Sequence, residues 1–226
     1  MLKAELQLTT LLTAMRNVGC GDPHPVFAGG LRYIPPSAKD RVNREAFEEL
    51  SEYGFTQGDG FTPEFEDVLH LIDQPTTKLH AYARDAKEQI GILSAQTGRT
   101  AITVVCRGNL VELEGVSPDT HPADALVAKL PPGHAAKIKP FTVALADFQE
   151  EQKVSDVFDD APTRSRQAQE LDAILKEPYS GIGQLHTEGK TLSYLDLEAG
   201  RIGVARTDDY ISVVPGEPKQ LSDKLK

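Results

Sequence analysis

The side chains able to support catalysis or bind a metal ion are scattered along this chain of 226 residues. Its six histidines form no HxH, HxxxH or HExxH pattern. Glu66 and His70 are four residues apart on a predicted helix and share a face, but two ligands without a third make a weak metal site. His24 follows Cys20 closely, although nearness in sequence is not the spatial pairing that a catalytic thiol needs. We therefore predict no catalytic, cofactor-binding or metal-binding residue.

Two further segments contain residue types that bind ions in other proteins. Asp156, Asp159 and Asp160 lack the glycine and the terminal glutamate of an EF-hand, so we interpret residues 155–162 as an exposed acidic loop. Gly58-Asp59-Gly60 precedes a predicted helix, where backbone amides can face an anion. Because no lysine follows and no strand precedes it, we predict a tight turn between two helices instead.

Apolar residues spaced near 3.6 residues apart predict three helices in the first third of the chain. The first has its apolar face on Leu8, Leu11, Leu12 and Met15. Asn43 is a candidate cap for the second helix, and Thr62 followed by Pro63 begins the third. Later helices are predicted at about 122–130, 144–152, 164–176 and 217–225. The helix at 164–176 has Ala168, Leu171, Ile174 and Leu175 on its apolar inner face.

Between these helices the apolar period changes to two residues, which indicates strands. The predicted strands span about 78–84, 89–95, 100–106 and 109–114, and then about 181–187, 190–197, 201–206 and 210–214. The connections are short and contain turn residues, which is typical of antiparallel meanders. The fold class predicted from the order of elements is α+β.

The two meanders are similar to each other in sequence order. Gln96-Thr97-Gly98-Arg99 precedes a strand, a turn and a strand, and so does Glu198-Ala199-Gly200-Arg201. Each copy then passes a proline and continues into a helix. We predict a duplication within one domain covering 1–226, with halves at about 1–116 and 117–226. Chance similarity between two ordinary meanders is the alternative.

Composition limits the classes of partner. The net charge is −10 and the pI is about 5.1, which argues against nucleic acid and against an anionic membrane surface as the main partner. No apolar stretch reaches the roughly 20 residues of a membrane span, and the N-terminus has no signal pattern. The two cysteines, Cys20 and Cys106, favour a reducing compartment. We therefore expect a cytoplasmic protein without membrane insertion.

Several stretches resemble the EspG family of ESX (type VII) secretion-associated proteins. The strongest are Gly181-Ile182-Gly183-Gln184-Leu185, Leu195-Asp196-Leu197-Glu198-Ala199-Gly200-Arg201 and Tyr210-Ile211-Ser212-Val213-Val214-Pro215. Weaker matches are Glu45-Ala46-Phe47-Glu48-Glu49-Leu50 and the helix end from Leu126 to Pro131. These matches occur in the family's order along most of the chain.

The resemblance implies both a fold and a function. The fold is a quasi-twofold α+β domain in which pseudo-duplicated antiparallel meanders form a central sheet, with N-terminal and C-terminal helical bundles. The function is that of a chaperone without enzymatic activity or cofactor, which binds the apolar tip of a secreted PE–PPE heterodimer, keeps it soluble and directs it for export.

The family's partner surface uses the loop between the second and third strands and the C-terminal bundle. On this chain the resemblance places the loop at Gln96, Thr97, Gly98 and Arg99. Our candidates for an apolar groove in the bundle are Leu145, Phe148, Val154, Val157, Phe158, Leu171 and Leu175. For each of these apolar residues, ordinary core packing is the alternative.

Two other functions stay open on the sequence. A small-molecule-binding or hydrolytic α+β domain would show a concave pocket with converging titratable groups. A self-associating domain would cover its apolar patch in a symmetric homodimer.

Overall fold

The computed structural model describes residues 2–30, 33–149 and 164–226. The chain has an α+β fold rich in antiparallel sheet, which confirms the predicted class. It divides into two compact units, Met1–Leu130 and Pro131–Lys226. Among the described residues, no helix is long and apolar enough to cross a membrane. The prediction of a single domain spanning both units stays a prediction.

The first unit combines a five-stranded antiparallel sheet with four described α-helices. Its strands are β1 (Lys3–Gln7), β2 (Thr56–Gln57), β3 (Gly60–Phe61), β4 (Thr77–Asp85), β5 (Gln89–Thr97), β6 (Thr100–Arg107) and β7 (Leu110–Val116). Its helices are α1 (Leu8–Asn17), α2 (Lys39–Glu52), α3 (Pro63–Asp73) and α4 (Pro122–Val127), with short 3-10 helices at Pro25–Gly30 and Pro36–Ala38. The sheet order is β1-β7-β6-β5-β4, while β2 and β3 form a separate hairpin.

Both faces of this sheet are apolar. Leu93 on β5 and Val104 on β6 are register partners, and they belong to one buried cluster with the apolar residues of α1 and α3. The alternate residue Ile92 lies on the opposite face and is fully buried too. Helix α4 packs against β4, β5 and β6. The sheet of the first unit therefore has helices on both of its faces.

The helix signals in the sequence are confirmed at α1 and α3 and misplaced at α2. Thr62 accepts a hydrogen bond from the backbone N–H of Phe65 through its hydroxyl at 3.3 Å, as an N-cap does. Helix α2 begins at Lys39, so Asn43 lies inside it and is not its cap. Pro36–Ala38 forms a 3-10 turn that leads directly into α2, which removes the need for a side-chain cap.

The second unit has the same kind of sheet. Its strands are β8 (Phe141–Ala144), β9 (Tyr179–Thr187), β10 (Lys190–Leu197), β11 (Gly200–Arg206) and β12 (Tyr210–Pro215). Its described helices are α5 (Leu145–Gln149), α6 (Arg166–Lys176) and α7 (Pro218–Leu225). The sheet order is β9-β10-β11-β12-β8, and each pair of neighbouring strands in this order is antiparallel.

The two units share one order of elements. In each, an early strand pairs with the last strand of the meander, β1 with β7 and β8 with β12. In each, the helix after the meander packs back on it, α4 on β4 and β5, and α7 on β9 and β10. The predicted meanders are thereby confirmed. The early strands β1 and β8 were not predicted from the sequence.

Arg201 connects several parts of the second unit. Its guanidinium donates to both carboxylate oxygens of Asp196, at 2.7 and 2.9 Å, and its Cζ lies 4.2 Å from the ring centroid of Tyr194. Its backbone carbonyl accepts from the N–H groups of Ala136 and Gly216. Because both ions of the pair lie on one β-hairpin, the stretch from Asp196 to Arg201 that resembles the EspG family has a structural role here.

Close approach of neighbouring groups requires glycine in this hairpin and in the adjacent strand β9. A Cβ on Gly200, whose φ is +116°, would lie 2.7 Å from the backbone nitrogen of Ala136. A Cβ on Gly183 would lie 2.2 Å from a ring carbon of Tyr194. No side chain fits at either position without moving its neighbours. These glycines let the segment around Ala136 and the ring of Tyr194 pack directly on the sheet.

Candidate partner-binding site

The sheet of the second unit presents two different faces. Leu195 and Leu197 on β10 share one buried cluster with Leu171 of α6. Leu192 points to the opposite face, where Leu221 of α7 packs near it around Gly203. The first of these faces is therefore the one that α5 and α6 cover, and it carries the apolar candidates predicted from the sequence.

The beginning of α6 is fixed to α5 by a small polar network. Ser165 accepts from the N–H of Ala168 at 3.1 Å, which caps α6. The N–H of Ser165 donates to Asp147 of α5 at 3.1 Å, and the Ser165 hydroxyl donates to the same carboxylate. These hydrogen bonds from Ser165, with the charge of Arg164 nearby, lower the pKa of Asp147 below its ordinary value.

Arg164 adds a second connection between the two helices. Its Nη2 donates to the backbone carbonyl of Phe148 at 3.2 Å, and its Cζ lies 5.6 Å from the centroid of the Phe148 ring. Its Nη1 lies 3.9 Å from a carboxylate oxygen of Asp172 on α6. The guanidinium therefore holds Phe148, which is partly buried, beside α6.

Four apolar side chains on α5 and α6 are partly or largely exposed, and we call them the α5/α6 apolar surface. They are Leu145, Phe148 and Ile174, which pack against the buried cluster and are partly exposed, and Leu175. Leu175 has 41% of its surface exposed, near the end of α6. Two tyrosines of the same unit, Tyr179 and Tyr210, are also about half exposed, at 53% and 52%.

The predicted groove residues therefore divide into three groups. Leu145, Phe148 and Leu175 contribute to the α5/α6 apolar surface. Leu171 is fully buried in the core, so it supports α6 and presents no surface to a partner. Val154, Val157 and Phe158 lie outside the described residues, as does the predicted acidic loop at 155–162. Ile174, Tyr179 and Tyr210 were not among the candidates, although Ile174 is part of the same apolar stripe in the sequence.

The predicted loop at residues 96–99 is a two-residue turn of the first unit. Gln96 and Thr97 are the last residues of β5, and only Gly98, with a φ of +59°, and Arg99 form the turn. Thr97 accepts from the N–H of Thr76 at 3.1 Å, and the Gln96 side chain donates to the Gly98 carbonyl at 3.0 Å. The polar groups of Gln96 and Thr97 are thus already engaged within the unit.

Both cysteines have thiols whose pKa is raised above the ordinary value. Cys20 Sγ lies 4.0 Å from Nδ1 of His70, while His24 packs against the ring of His80. Burial and the charge of Asp73 raise the pKa of Cys20 to about 11. A thiol in that range stays protonated at neutral pH and is a poor nucleophile. Burial also raises the pKa of Cys106 to about 12.

The other ion-binding candidates have structural roles. Gly58 and Asp59 form the turn of the β2–β3 hairpin, with Gly58 at a φ of +60°. The turn itself was predicted, but the expectation that no strand precedes it was wrong, because β2 ends directly before Gly58. Within the part of the chain that the structure describes, no group of three or more His, Cys, Asp or Glu side chains could hold a metal ion.

Comparison with known proteins gives one family and one fold. The model of the EspG family matches residues 7–226. A solved structure of the Mycobacterium tuberculosis type VII secretion system chaperone EspG5 in complex with a PE25-PPE41 dimer is similar with a TM-score of 0.70 and 12% identity, covering 99% of this chain and 94% of that one. No curated protein sequence matches the chain. Since the family model covers nearly the whole sequence, this chain belongs to the EspG family.

Proposed function

We propose that this chain is a type VII secretion chaperone that binds the apolar tip of a PE–PPE-type heterodimer. Membership of the EspG family over residues 7–226 is the observation that carries the proposal. The similar EspG5 structure contains a PE25-PPE41 dimer, which supports the same class of partner here. The chaperone acts in the cytoplasm, where it keeps the pair soluble and directs it for export.

The α5/α6 apolar surface supplies the physical basis for such binding. Exposed apolar side chains on a partner tip drive aggregation unless another apolar surface covers them. Burying a Leu or Phe side chain fully contributes roughly 1.5–3 kcal/mol. Leu175 and Phe148 can supply anchors of this kind, and the charged side chains of Asp172 and Lys176 beside them form a 2.7 Å ion pair typical of a polar rim.

We infer that the chain acts by binding alone and carries out no catalysis. The raised pKa values of both thiols argue against a cysteine nucleophile. The engagement of Asp147 with Ser165 and Arg164 assigns that carboxylate to holding two helices together. The proposed function therefore requires no cofactor and no reacting group.

Co-expression tests the proposal directly. The chain is produced together with PE–PPE-type pairs from the same genome, and the soluble fraction is analysed by size-exclusion chromatography with light scattering. We expect a 1:1:1 complex, and more soluble pair in the presence of the chain than in its absence. Failure of every pair to co-elute with the folded chain would contradict the proposal.

The same chromatography tests self-association. If the α5/α6 apolar surface serves a heterologous partner, the chain alone elutes as a monomer over a wide concentration range. A dimer that dissociates when Leu175 is changed to Glu would instead assign this surface to a homodimer.

A further inference from the structure

The first unit contains a cleft of about 490 Å³. It lies between helix α2, the junction of β1 with α1, and residues 33–38. Its volume is within the range of cavities that accept small molecules or a large side chain of a partner. Two carboxylates, Glu45 and Glu49, and the ring of Tyr33 line it, and Arg41 is the one cation among the lining residues that the structure describes. The described lining is therefore net negative.

Glu49 is held in place by neighbours on the other side of the cleft. Its Oε1 accepts from the backbone N–H of Gln7 at 2.8 Å, and its Oε2 accepts from the hydroxyl of Thr10. A carboxylate has about four acceptor positions, so these two bonds leave it able to accept from a further donor. Its position is fixed before any ligand binds, which lowers the entropy cost of binding.

Glu45 can bind an incoming cation because the ion pair that it already forms is weak. It lies one helical turn before Glu49 on α2, and its ion-pair partner among the described residues is exposed Arg41, at 3.9 Å. Exposed i,i+4 pairs of this kind contribute little, so an incoming cation can replace Arg41 at small cost. Two carboxylates one turn apart on a helix also repel each other, and a shared cation would relieve that repulsion.

Tyr33 gives the cleft an aromatic side. Its side chain is 85% exposed, unlike most large apolar residues of the first unit. Ile34, Pro35 and Val42 line the cleft near it. An aromatic ring with neighbouring apolar groups, facing two carboxylates, suits an alkyl chain that ends in a positive charge.

The two carboxylates of the cleft belong to a longer acidic stretch of the sequence. Residues 45–77 contain nine Asp or Glu residues and no Lys or Arg. Such a one-sided distribution attracts an extended basic partner more strongly than a single small cation.

We propose that this cleft binds a basic peptide segment of a partner protein, with one Lys or Arg side chain inserted between Tyr33 and the carboxylates of Glu45 and Glu49. The site lies in the first unit and does not depend on the proposed binding of a PE–PPE-type pair. It would give the chaperone a second, electrostatic contact surface.

Fluorescence polarisation with the full chain tests this proposal. The probe is a fluorescein-labelled octapeptide of alternating alanine and arginine, and the comparison probe alternates alanine and glutamate. We expect saturable binding of the basic probe alone. Glu45→Gln should weaken it about tenfold, the value of one charge-assisted contact. Tyr33→Ala should weaken it as well, and Tyr33→Phe should retain it.

Glu48→Gln is the matched control. Glu48 is on the same helix and forms the same kind of exposed pair, with Arg44 at 3.9 Å, but it does not line the cleft. We expect less than about a twofold change for it. Equal losses for Glu45→Gln and Glu48→Gln would show nonspecific attraction and overturn the proposal. So would the absence of saturable binding, or competition by free arginine amide at the concentrations at which the peptide binds.

Discussion

Arg201 shows how one side chain stabilises a whole unit. It is 5% exposed, forms a two-point ion pair with Asp196 and stacks on Tyr194. Its backbone forms hydrogen bonds with His134, Ala136 and Gly216, which attach the chain before β8 and the chain after β12 to strand β11. A buried guanidinium needs such complete pairing, because an uncompensated buried charge is strongly unfavourable.

Arg201→Ala should destabilise the protein by about 3 kcal/mol, because it leaves Asp196 without its partner and opens a cavity against Tyr194. Arg201→Lys keeps the charge but loses the two-point geometry, so its loss should be smaller but measurable. Urea unfolding followed by circular dichroism measures both. Arg206→Ala on the exposed end of the same strand is the control, expected within about 0.5 kcal/mol of the wild type. An equally small effect at Arg201 would contradict the assigned role.

The ion pair was not foreseen from the sequence, although both residues were in the motif that resembles the EspG family. The acidic turn leading to Gly-Arg was visible as a pattern, but its meaning depends on the register of β10 and β11, which places Asp196 opposite Arg201. Register of this kind is set by the hairpin turn and by the tertiary environment. The sequence alone therefore indicated the family and left the role of these residues open.

At the scale of elements, the contact between α5 and α6 positions the α5/α6 apolar surface. Ser165 both caps α6 and donates to Asp147 on α5. Losing that hydroxyl should loosen α6 and move Leu175 and Ile174 relative to α5. The cap is thus expected to affect partner binding as well as stability.

Ser165→Ala should lower the free energy of unfolding by about 1–2 kcal/mol and weaken binding of the PE–PPE-type pair. Thr62→Ala provides the matched control, since Thr62 caps α3 of the first unit in the same way. We expect Thr62→Ala to cost a similar amount of stability without changing binding. Calorimetric titration of the PE–PPE-type pair into each variant measures the binding affinity and distinguishes the two variants. Equal loss of binding in both variants would indicate a general effect of stability.

Asp147 gives the same contact a pH dependence. Because the folded state lowers its pKa below the ordinary 3.8, its contribution to stability is present above that value and is lost as the pH falls through the lowered pKa. Carboxyl-carbon NMR should therefore show Asp147 titrating below 3.8 in the wild type. In Ser165→Ala the pKa should move back up, since both the hydroxyl and its geometry are lost. An unchanged pKa would contradict the assigned hydrogen bond.

Sequence patterns identified the helices and strands with local signals and missed those without them. The Thr62 cap and the two meanders were predicted because turns and caps are short-range features. β1 and β8 are short and pair with β7 and β12, which follow them much later in the chain. Periodicity over five residues beside a helix is weak evidence, and the remote pairing that stabilises these strands is invisible in a local window.

At the scale of the whole molecule, the repeated order of elements is the feature the sequence predicted best. The similarity between the two meanders indicated a duplication, and each unit shows the same strand order followed by the same returning helix. What could not be predicted is which apolar residues each unit leaves exposed. Leu171 and Leu175 are one turn apart on α6, yet one is fully buried and the other is 41% exposed.

The difference between those two leucines arises from tertiary contacts alone. Both lie on the apolar stripe that predicts α6, so helical periodicity cannot distinguish the buried residue from the exposed one. Leu171 packs against the sheet of the second unit, while Leu175 is in the last turn and extends past that core. The candidate surface was therefore predicted as a region, and its individual residues required the structure.

The measurement that tests the central claim is the affinity of a purified PE–PPE-type pair for Leu175→Glu and for Leu110→Glu. Leu110 is 40% exposed and lies at the start of β7 in the first unit, so it matches Leu175 in type and exposure but not in position. Placing a charge in a desolvated apolar contact should cost at least about 2 kcal/mol, or about thirtyfold in affinity. We predict that loss for Leu175→Glu and less than about a threefold change for Leu110→Glu. Wild-type affinity in Leu175→Glu, or equal losses in both variants, would contradict the claim that the α5/α6 apolar surface binds the pair.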